Sequence, residues 1–172
     1  MRIDQRPSQS TLGYIPEGPP GIAATLKIMS RLVREGKKSM VVRDHVVKLI
    51  RAEGLAQKDW IGEIRVLHRF VRDDVRYLMD PTDVELVQDP ECTLRLRVGD
   101  CDDKSTLLCA MLESIGHPTR FLAIGFEPGI YEHVLLETKI GEQWITCETT
   151  EPVEIGWRPP SGLIRARMIH HN

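Results

Sequence analysis

Apolar residues recur at helical spacing three times in the first half of the chain. The three runs occupy residues 22–33, 41–50 and 60–71, and glycines follow the first two at Gly36 and Gly54. Apolar side chains three and four positions apart share one face of a helix, and glycine commonly ends one. The pattern therefore predicts three amphipathic helices, the first ending near Gly36 and the second stopping at Gly54.

Shorter apolar runs after residue 100 predict a further helix and then strands. Residues 107–115 keep helical spacing, whereas residues 121–126 form a continuous apolar run that is typical of a buried strand. Residues 131–137 and 142–150 read as strands, and the turn-forming sequence Lys139-Ile140-Gly141-Glu142 between them favours a hairpin. We predict an α+β domain in which N-terminal helices precede a central cysteine-bearing helix packed on an antiparallel sheet.

Composition is that of a soluble globular protein with one domain. The chain has 172 residues, of which 41% are hydrophobic and 28% charged, and its net charge is −2. Residues 20–76 carry 13 Lys and Arg against 7 Asp and Glu, whereas residues 77–172 carry 8 against 16. We interpret the basic helices as packing beside the acidic half and otherwise facing solvent, so a nucleic-acid partner is not expected. No run reaches about 18 apolar residues, so no membrane segment is expected either.

Four cysteines allow two interpretations, a disulfide framework or reduced thiols: Cys92, Cys101, Cys109 and Cys147. Residues 1–7 are polar and lack the apolar core of a secretory signal, so we expect reduced thiols in the cytoplasm. Cys109 and Cys147 lie among apolar positions and are predicted to be buried. The paired Cys and His spacings of a zinc site are missing, so no metal or cofactor is expected. His45 and His68 are accordingly expected to be surface or core residues of their helices.

The segment 99–105, Gly-Asp-Cys-Asp-Asp-Lys-Ser, places Cys101 at a position where a cysteine can be reactive. Asp100 is a natural N-cap, and Asp103, three residues on, can reach back as in a capping box. Cys101 then lies in the first turn of the helix, where unpaired N–H groups and the helix dipole favour the nucleophilic thiolate, although its acidic neighbours oppose ionisation. Because a cysteine at a helix start is more often an inert packed residue, catalysis also requires a base and a group that orients it.

A candidate base and acid follow on the predicted hairpin as His133 and Glu148. Strand alternation places both side chains on one face if the apolar residues between them turn to the core: Val134, Leu136, Ile145 and Cys147. A carboxylate beside an imidazole can hold it in one tautomer and leave the second nitrogen for a thiol. Taken singly, each residue would be an ordinary surface residue of a strand. Their joint occurrence, in the order Cys, His, acid, favours a catalytic site.

These motifs together resemble the core of the transglutaminase-like superfamily. The resemblance rests on segment 99–105, on Ile115-Gly116-His117-Pro118-Thr119-Arg120, on Glu132-His133-Val134 and on residues 144–150, Trp-Ile-Thr-Cys-Glu-Thr-Thr. It covers residues 64–150 and implies a papain/transglutaminase-like core. It also implies that Cys101 is the nucleophile, His133 the general base and Glu148 the orienting acid, where the family usually has aspartate.

The same resemblance implies an oxyanion hole. The backbone N–H of Cys101 would be one donor. Gln88 and Tyr77 are candidates for a second donor, Gln88 on residue type alone. Residues 76–81 and 87–94 resemble the approach loop of small transglutaminase-like proteins encoded by bacteriophages and prophages.

The chain is expected to divide into three parts. Residues 1–20 contain prolines and no periodic pattern, which predicts an extended arm. Residues 21–150 form the expected transglutaminase-like domain, with its core in residues 64–150. Residues 151–172 are expected to be a tail that packs on this domain.

Three functional hypotheses follow. The first is a cysteine enzyme that attacks a carboxamide or peptide bond of a protein or peptide substrate and passes the acyl group to water or to an amine. The second is a non-catalytic adaptor in phage or prophage assembly, virion-associated and bound to a phage structural protein. The third, acetyl transfer to arylamines, is disfavoured because the chain is short and shows no added coenzyme-binding region.

Overall fold

Three long helices form the N-terminal part of the fold, as the apolar spacing predicts. The computed structural model describes three stretches of the chain: residues 10–12, 18–79 and 86–172. The helices are α1 (Pro19–Gly36), α2 (Met40–Glu53) and α3 (Trp60–Asp74). Ser39 caps α2 by accepting two backbone N–H groups of its first turn, and Gly54 ends it in the left-handed conformation that glycine adopts without strain. The three predicted helices are thus confirmed.

Short elements lead from these helices to the cysteine segment. They are β1 (Ser10–Leu12), β2 (Arg76–Tyr77), β3 (Leu86–Gln88), α4 (Pro90–Leu96) and β4 (Val98–Gly99). β1 pairs with β3 in antiparallel fashion, and β2 pairs in parallel with β4, with Tyr77 opposite Gly99. This pairing brings Tyr77 beside the segment that carries Cys101. Parts of the predicted arm and approach loop lie outside the described residues: 1–9, 13–17 and 80–85.

A four-stranded antiparallel sheet follows the cysteine-bearing helix α5 (Cys101–Ser114). Its strands, in the spatial order β7-β6-β5-β8, are β5 (Thr119–Gly125), β6 (His133–Ile140), β7 (Gln143–Cys147) and β8 (Ala166–His171). The predicted hairpin is confirmed as β6–β7, with Leu136 opposite Cys147. β7 ends three residues earlier than predicted, since the backbone N–H of Thr150 bonds the side chain of Glu148 instead of extending the ladder. The strand β8, which pairs with β5, has no counterpart in the sequence prediction.

The main core lies between the helices and one face of the sheet. Its largest buried members come from α1, α3, α5 and β5: Leu26, Met29, Ile64, Leu67, Leu107, Leu108, Met111, Leu112 and Phe121. Of the hairpin residues predicted to face the core, Val134, Leu136 and Cys147 are buried in it, and Ile145 is half-buried. Cys109 is fully buried as well, so the burial predicted for Cys109 and Cys147 is confirmed. The architecture is the predicted α+β arrangement of helices on an antiparallel sheet.

The opposite face of the sheet contains a buried carboxylate that ties the segment after β7 to the strands. Glu137 of β6 has no exposed surface, and its oxygens pair with Arg120 at 2.6 Å and with Arg158 at 2.9 Å. The Arg120 guanidinium also lies 4.0 Å from the ring centroid of Trp144. A buried carboxylate is tolerated only when it is well paired, so these contacts hold β5, β6, β7 and residue 158 together.

Candidate functional site

Cys101 begins α5, with the predicted cap in place. Asp100 accepts, through Oδ1, the backbone N–H groups of Asp102 at 3.0 Å and Asp103 at 3.1 Å. Gly99 leaves no space for a side chain, because a Cβ atom there would lie 2.6 Å from the Cβ atom of Asp103. The cap and the close approach at Gly99 together fix the backbone that carries the sulfur.

Asp103 connects the cysteine helix to β3. Its Oδ1 accepts the backbone N–H of Gln88 at 2.7 Å, and its Oδ2 accepts the Gln88 side-chain Nε2 at 2.7 Å. The same Nε2 donates to the carbonyl of Val98 at 3.4 Å. The amide of Gln88 thus already has two acceptors, and its role in an oxyanion hole stays a prediction. So does that of Tyr77, which is 45% exposed opposite Gly99.

The Cys101 thiol is protonated in its surroundings. Burial raises its pKa well above the ordinary value, and the carboxylates of Asp102 and Asp100 raise the pKa further. The thiol donates to Oδ1 of Asp102 at 3.5 Å. A hydrogen bond with the backbone of Val134 opposes the rise in pKa without reversing it. The resting state is therefore not the thiolate that the helix dipole favours, and the opposing effect of burial and the acidic neighbours prevails.

His133 and Glu148, predicted to project together, form a pair in which the carboxylate is buried and the imidazole is partly exposed. Nε2 of His133 lies 2.6 Å from Oε2 of Glu148, whose side chain is 1% exposed. The other oxygen, Oε1, accepts the backbone N–H of Thr150 at 2.7 Å and its hydroxyl at 2.8 Å. Burial alone would raise the pKa of Glu148, but the hydrogen bonds from His133 and Thr150 outweigh it and hold the pKa below its usual value. Glu148 is therefore ionised at neutral pH.

Cys101 lies near this pair but is not hydrogen-bonded to it. Its sulfur contacts the backbone of Val134, the residue that follows His133, and donates to Asp102. Glu148 binds Nε2 of His133, and among the described residues none forms a hydrogen bond to the other ring nitrogen, Nδ1. The arrangement leaves Nδ1 as the nitrogen available to a thiol. Hydrogen bonds between catalytic groups are often long before substrate binds.

Two buried residues near the site have partners that sequence reasoning did not identify. His68 of α3 is fully buried, and its Nε2 donates to the backbone carbonyl of Glu148, 80 positions along the chain. Lys104 is 2% exposed, and its Nζ donates to the carbonyls of Val75 at 2.7 Å and Arg72 at 3.2 Å. Burial lowers the pKa of Lys104 to about 8. The position of His68 among apolar residues of α3 signals burial, but no local pattern signals its partner.

The described part of the chain contains neither a metal-binding cluster nor a membrane-spanning helix. In residues 10–12, 18–79 and 86–172, no group of three His, Cys, Asp or Glu side chains is arranged to hold a metal ion. All four cysteines are free thiols. None of the helices in the described part of the chain combines the length and the hydropathy of a membrane-spanning segment.

A family comparison decides the affiliation of this fold. The family model described as the transglutaminase-like superfamily matches residues 51–149, more than half of the chain. The chain belongs to the transglutaminase-like superfamily. The matched region of this transglutaminase-like chain contains Cys101, His133 and Glu148.

Solved structures resemble the transglutaminase-like chain at low sequence identity. A proposed protease from Parabacteroides distasonis is similar with a TM-score of 0.58 and 11% identity, over 84% of this chain and 36% of that protein. A proposed cysteine protease from Cytophaga hutchinsonii has a TM-score of 0.44 and 19% identity, over 64% of this chain and 40% of that protein. The chain thus spans less than half the length of either protein. No curated protein sequence matches it significantly.

Proposed function

We propose that this transglutaminase-like chain is a cysteine enzyme that cleaves or exchanges a carboxamide or peptide bond through an acyl-enzyme. The observation that carries the proposal is the His133–Glu148 pair, in which a buried, ionised carboxylate binds Nε2 and leaves Nδ1 available to a thiol. Near this pair, Cys101 occupies the first turn of α5. A base that is oriented by an acid and lies near a nucleophile is the arrangement that acyl transfer by a thiol requires.

In the proposed reaction, Nδ1 of His133 removes the proton of the Cys101 thiol, and the sulfur attacks the substrate carbonyl carbon. The imidazolium then donates that proton to the leaving amine as the C–N bond breaks, which leaves a thioester on Cys101. Water or a second amine attacks the thioester while His133 takes its proton, and the proton returns to the sulfur as the acyl group leaves. Glu148 stabilises the imidazolium at each stage. Because the resting thiol is neutral, the base is indispensable in this scheme.

The tetrahedral intermediate requires hydrogen-bond donors for its oxyanion. The first proposed donor is the backbone N–H of Cys101, in the first turn of α5, where N–H groups lack helical partners. For the second donor Tyr77 is favoured over Gln88, because the amide of Gln88 already donates to Asp103 and Val98. Tyr77 stands opposite Gly99 in the β2–β4 pair, next to the nucleophile segment.

The second candidate function, a non-catalytic adaptor in phage or prophage assembly, is favoured by the resting state of Cys101. The protonated thiol donates to Asp102 and not to His133. An adaptor would use the same fold to bind a phage structural protein and would not need the thiol. The two candidates therefore differ in whether the reactivity of Cys101 depends on His133.

Alkylation of Cys101 by iodoacetamide distinguishes these candidates. For the enzyme, we expect the rate at neutral pH to fall about tenfold or more in His133→Ala, because general-base assistance is typically worth about 10²- to 10⁴-fold. Peptide mass spectrometry identifies the labelled cysteine. We expect the label on Cys101, because the other three cysteines are buried.

The matched control for this experiment is His117→Ala. It removes a histidine that pairs with Glu63 at 2.8 Å, on other elements of the fold, and it is expected to react as the wild type does. Equal alkylation rates in the wild type and in His133→Ala would contradict the enzyme and favour the adaptor. If the rates differ, release of ammonia or peptide fragments indicates hydrolysis, and incorporation of a labelled amine indicates acyl transfer.

A further inference from the structure

The segment that carries Glu148 is held by α3 as well as by the sheet. Glu148 follows the last residue of β7, so the strand ladder does not fix its carbonyl. Nε2 of the fully buried His68 donates to that carbonyl, since a carbonyl oxygen can only accept. One turn further along α3, Arg72 donates to the carbonyl of Val153 at 2.7 Å and to Oε1 of Glu154 at 3.0 Å. α3 thus contacts this segment at two successive turns.

The position of His68 in the core leaves its second ring nitrogen without a hydrogen bond from the described residues. Its Nδ1 is buried and has no hydrogen-bond partner among the described residues. A buried polar atom without a partner destabilises a fold, and an apolar side chain of similar size would avoid the loss. Burial and the charge of Arg72 lower the pKa of His68, against the carbonyl contact and the charges of Glu154 and Glu148, so the ring is neutral with its proton on Nε2. Packing at this position does not require a polar side chain, whereas the hydrogen bond to the carbonyl of Glu148 requires a donor.

We propose that His68 is a positioning residue, which holds the backbone of Glu148 so that its carboxylate stays aligned with Nε2 of His133. The inference rests on the proposed function, in which this alignment makes Nδ1 of His133 a base. A glutamate has one more side-chain torsion than an aspartate, so its carboxylate keeps one position only if the residue is restrained elsewhere. His68 restrains it at the carbonyl, and Thr150 restrains it at Oε1.

Three substitutions of His68 separate positioning from packing. Glutamine places an amide N–H close to the position of Nε2, whereas asparagine is too short to reach and leucine has no donor. We expect Cys101 alkylation to fall about tenfold in His68→Leu and His68→Asn and to stay within about threefold of the wild type in His68→Gln. In a Glu148→Gln background, the same substitutions are expected to have no further effect, because they act through the Glu148 carboxylate.

An NMR measurement reports the alignment without any catalysis. The Nε2–H proton of His133, bonded to a carboxylate, is expected as a downfield resonance that disappears in His133→Gln. It should broaden or move upfield in His68→Leu and His68→Asn and persist in His68→Gln. His45→Leu is the matched control, because His45 is a half-buried histidine that packs on Phe70, with ring centroids 4.7 Å apart. This control should leave the resonance unchanged.

The possible outcomes keep the two proposals apart. If alkylation depends on His133 but all His68 variants match the wild type, the positioning role is wrong and the proposed function stands. If the alkylation rate does not depend on His133, the proposed function is wrong. In that case the Nε2–H resonance of His133 alone shows whether His68 aligns the pair. A lower unfolding temperature with an unchanged alkylation rate and resonance would make His68 a packing residue and overturn the inference. Should His68→Leu fail to fold, the comparison of His68→Asn with His68→Gln decides.

Discussion

At the scale of single residues, opposing influences on a thiol meet at Cys101. The first turn of a helix stabilises a nearby negative charge by about 0.3–1 kcal/mol. Burial can shift a pKa by up to about 3–5 units, and each unit corresponds to about 1.4 kcal/mol. Burial and the two flanking carboxylates therefore outweigh the helix and raise the pKa of Cys101. In the proposed reaction, Cys101 therefore depends on a base and not on its own acidity.

Substitution of Asp102 by asparagine is expected to lower the pKa of Cys101 and to speed its alkylation at neutral pH. The change removes a negative charge and replaces the carboxylate that accepts a hydrogen bond from the thiol, with 3.5 Å between Sγ of Cys101 and Oδ1 of Asp102. We expect a gain of about three- to tenfold, which corresponds to a pKa shift of about half a unit to one unit. The pH profile of alkylation measures the shift, and Asp44→Asn, at an exposed position of α2, is the control. An unchanged or slower rate in Asp102→Asn would contradict this assignment.

The site residues differ in how far local sequence predicts them. The cap by Asp100 and the pairing of His133 with Glu148 follow from helix-start and strand-alternation rules, which act over a few residues or across one hairpin. The bond of His68 to Glu148 spans 80 positions, and only the packing of α3 on the sheet end creates it. The protonation of Cys101 likewise depends on burial, and the sequence predicts only the signs of the competing charge effects.

At the scale of elements, a buried lysine joins α5 to the end of α3. Nζ of Lys104 donates to the carbonyls of Arg72 and Val75, where the last turn of a helix leaves carbonyls without helical partners. The preceding residue, Asp103, binds Gln88 of β3. One short stretch of sequence therefore supplies Cys101, the proposed nucleophile, and two of the contacts that hold its helix.

Lys104 is expected to make the fold more stable as pH rises. Its pKa falls from 10.5 to about 8 on burial, so between these pH values the unfolded chain binds more protons than the folded chain. The penalty for burying the ammonium group is complete below the folded pKa and disappears as pH passes the unfolded pKa. The gain is at most about 3 kcal/mol.

Denaturant unfolding of the wild type and Lys104→Met over this pH range tests the effect. The free energy of unfolding of the wild type, relative to the variant, should rise with pH. Lys48→Met removes an exposed lysine of α2 and should show no such trend. A difference between wild type and Lys104→Met that is constant with pH would contradict the buried titration.

The elements themselves were predictable where their pattern is internal. Helices α1, α2 and α3 carry helical spacing, glycines mark the ends of the first two, and the β6–β7 hairpin has a turn sequence between apolar strands. The strand β8, Ala-Arg-Met-Ile-His-His, has no such pattern in its sequence, and every second side chain is exposed. β8 is a strand because it pairs with the edge of β5, and this tertiary contact overrides the local preference of its sequence.

At the scale of the whole molecule, the buried Glu137 links three strands and residue 158. Arg120→Met is expected to destabilise the protein by about 3 kcal/mol, because it leaves a carboxylate with no exposed surface and one remaining partner, Arg158. Thermal or denaturant unfolding measures the loss. Arg167→Met, at an exposed position of β8, is the control and should change stability little. A loss equal to that of the control would show that Arg158 alone satisfies the carboxylate.

The pairing of β8 with β5 has a consequence for synthesis of the chain. β5 contributes a nearly continuous apolar segment, and β8 covers one edge of it from Arg120 to Gly125. When the ribosome has released the residues of the proposed reaction but not residues 166–171, that edge is unpaired. Open apolar edges capture other strands, including those of neighbouring nascent chains. During this interval of translation, chaperones and the strands of other chains have access to β5, and this access ends only when β8 emerges and pairs with it.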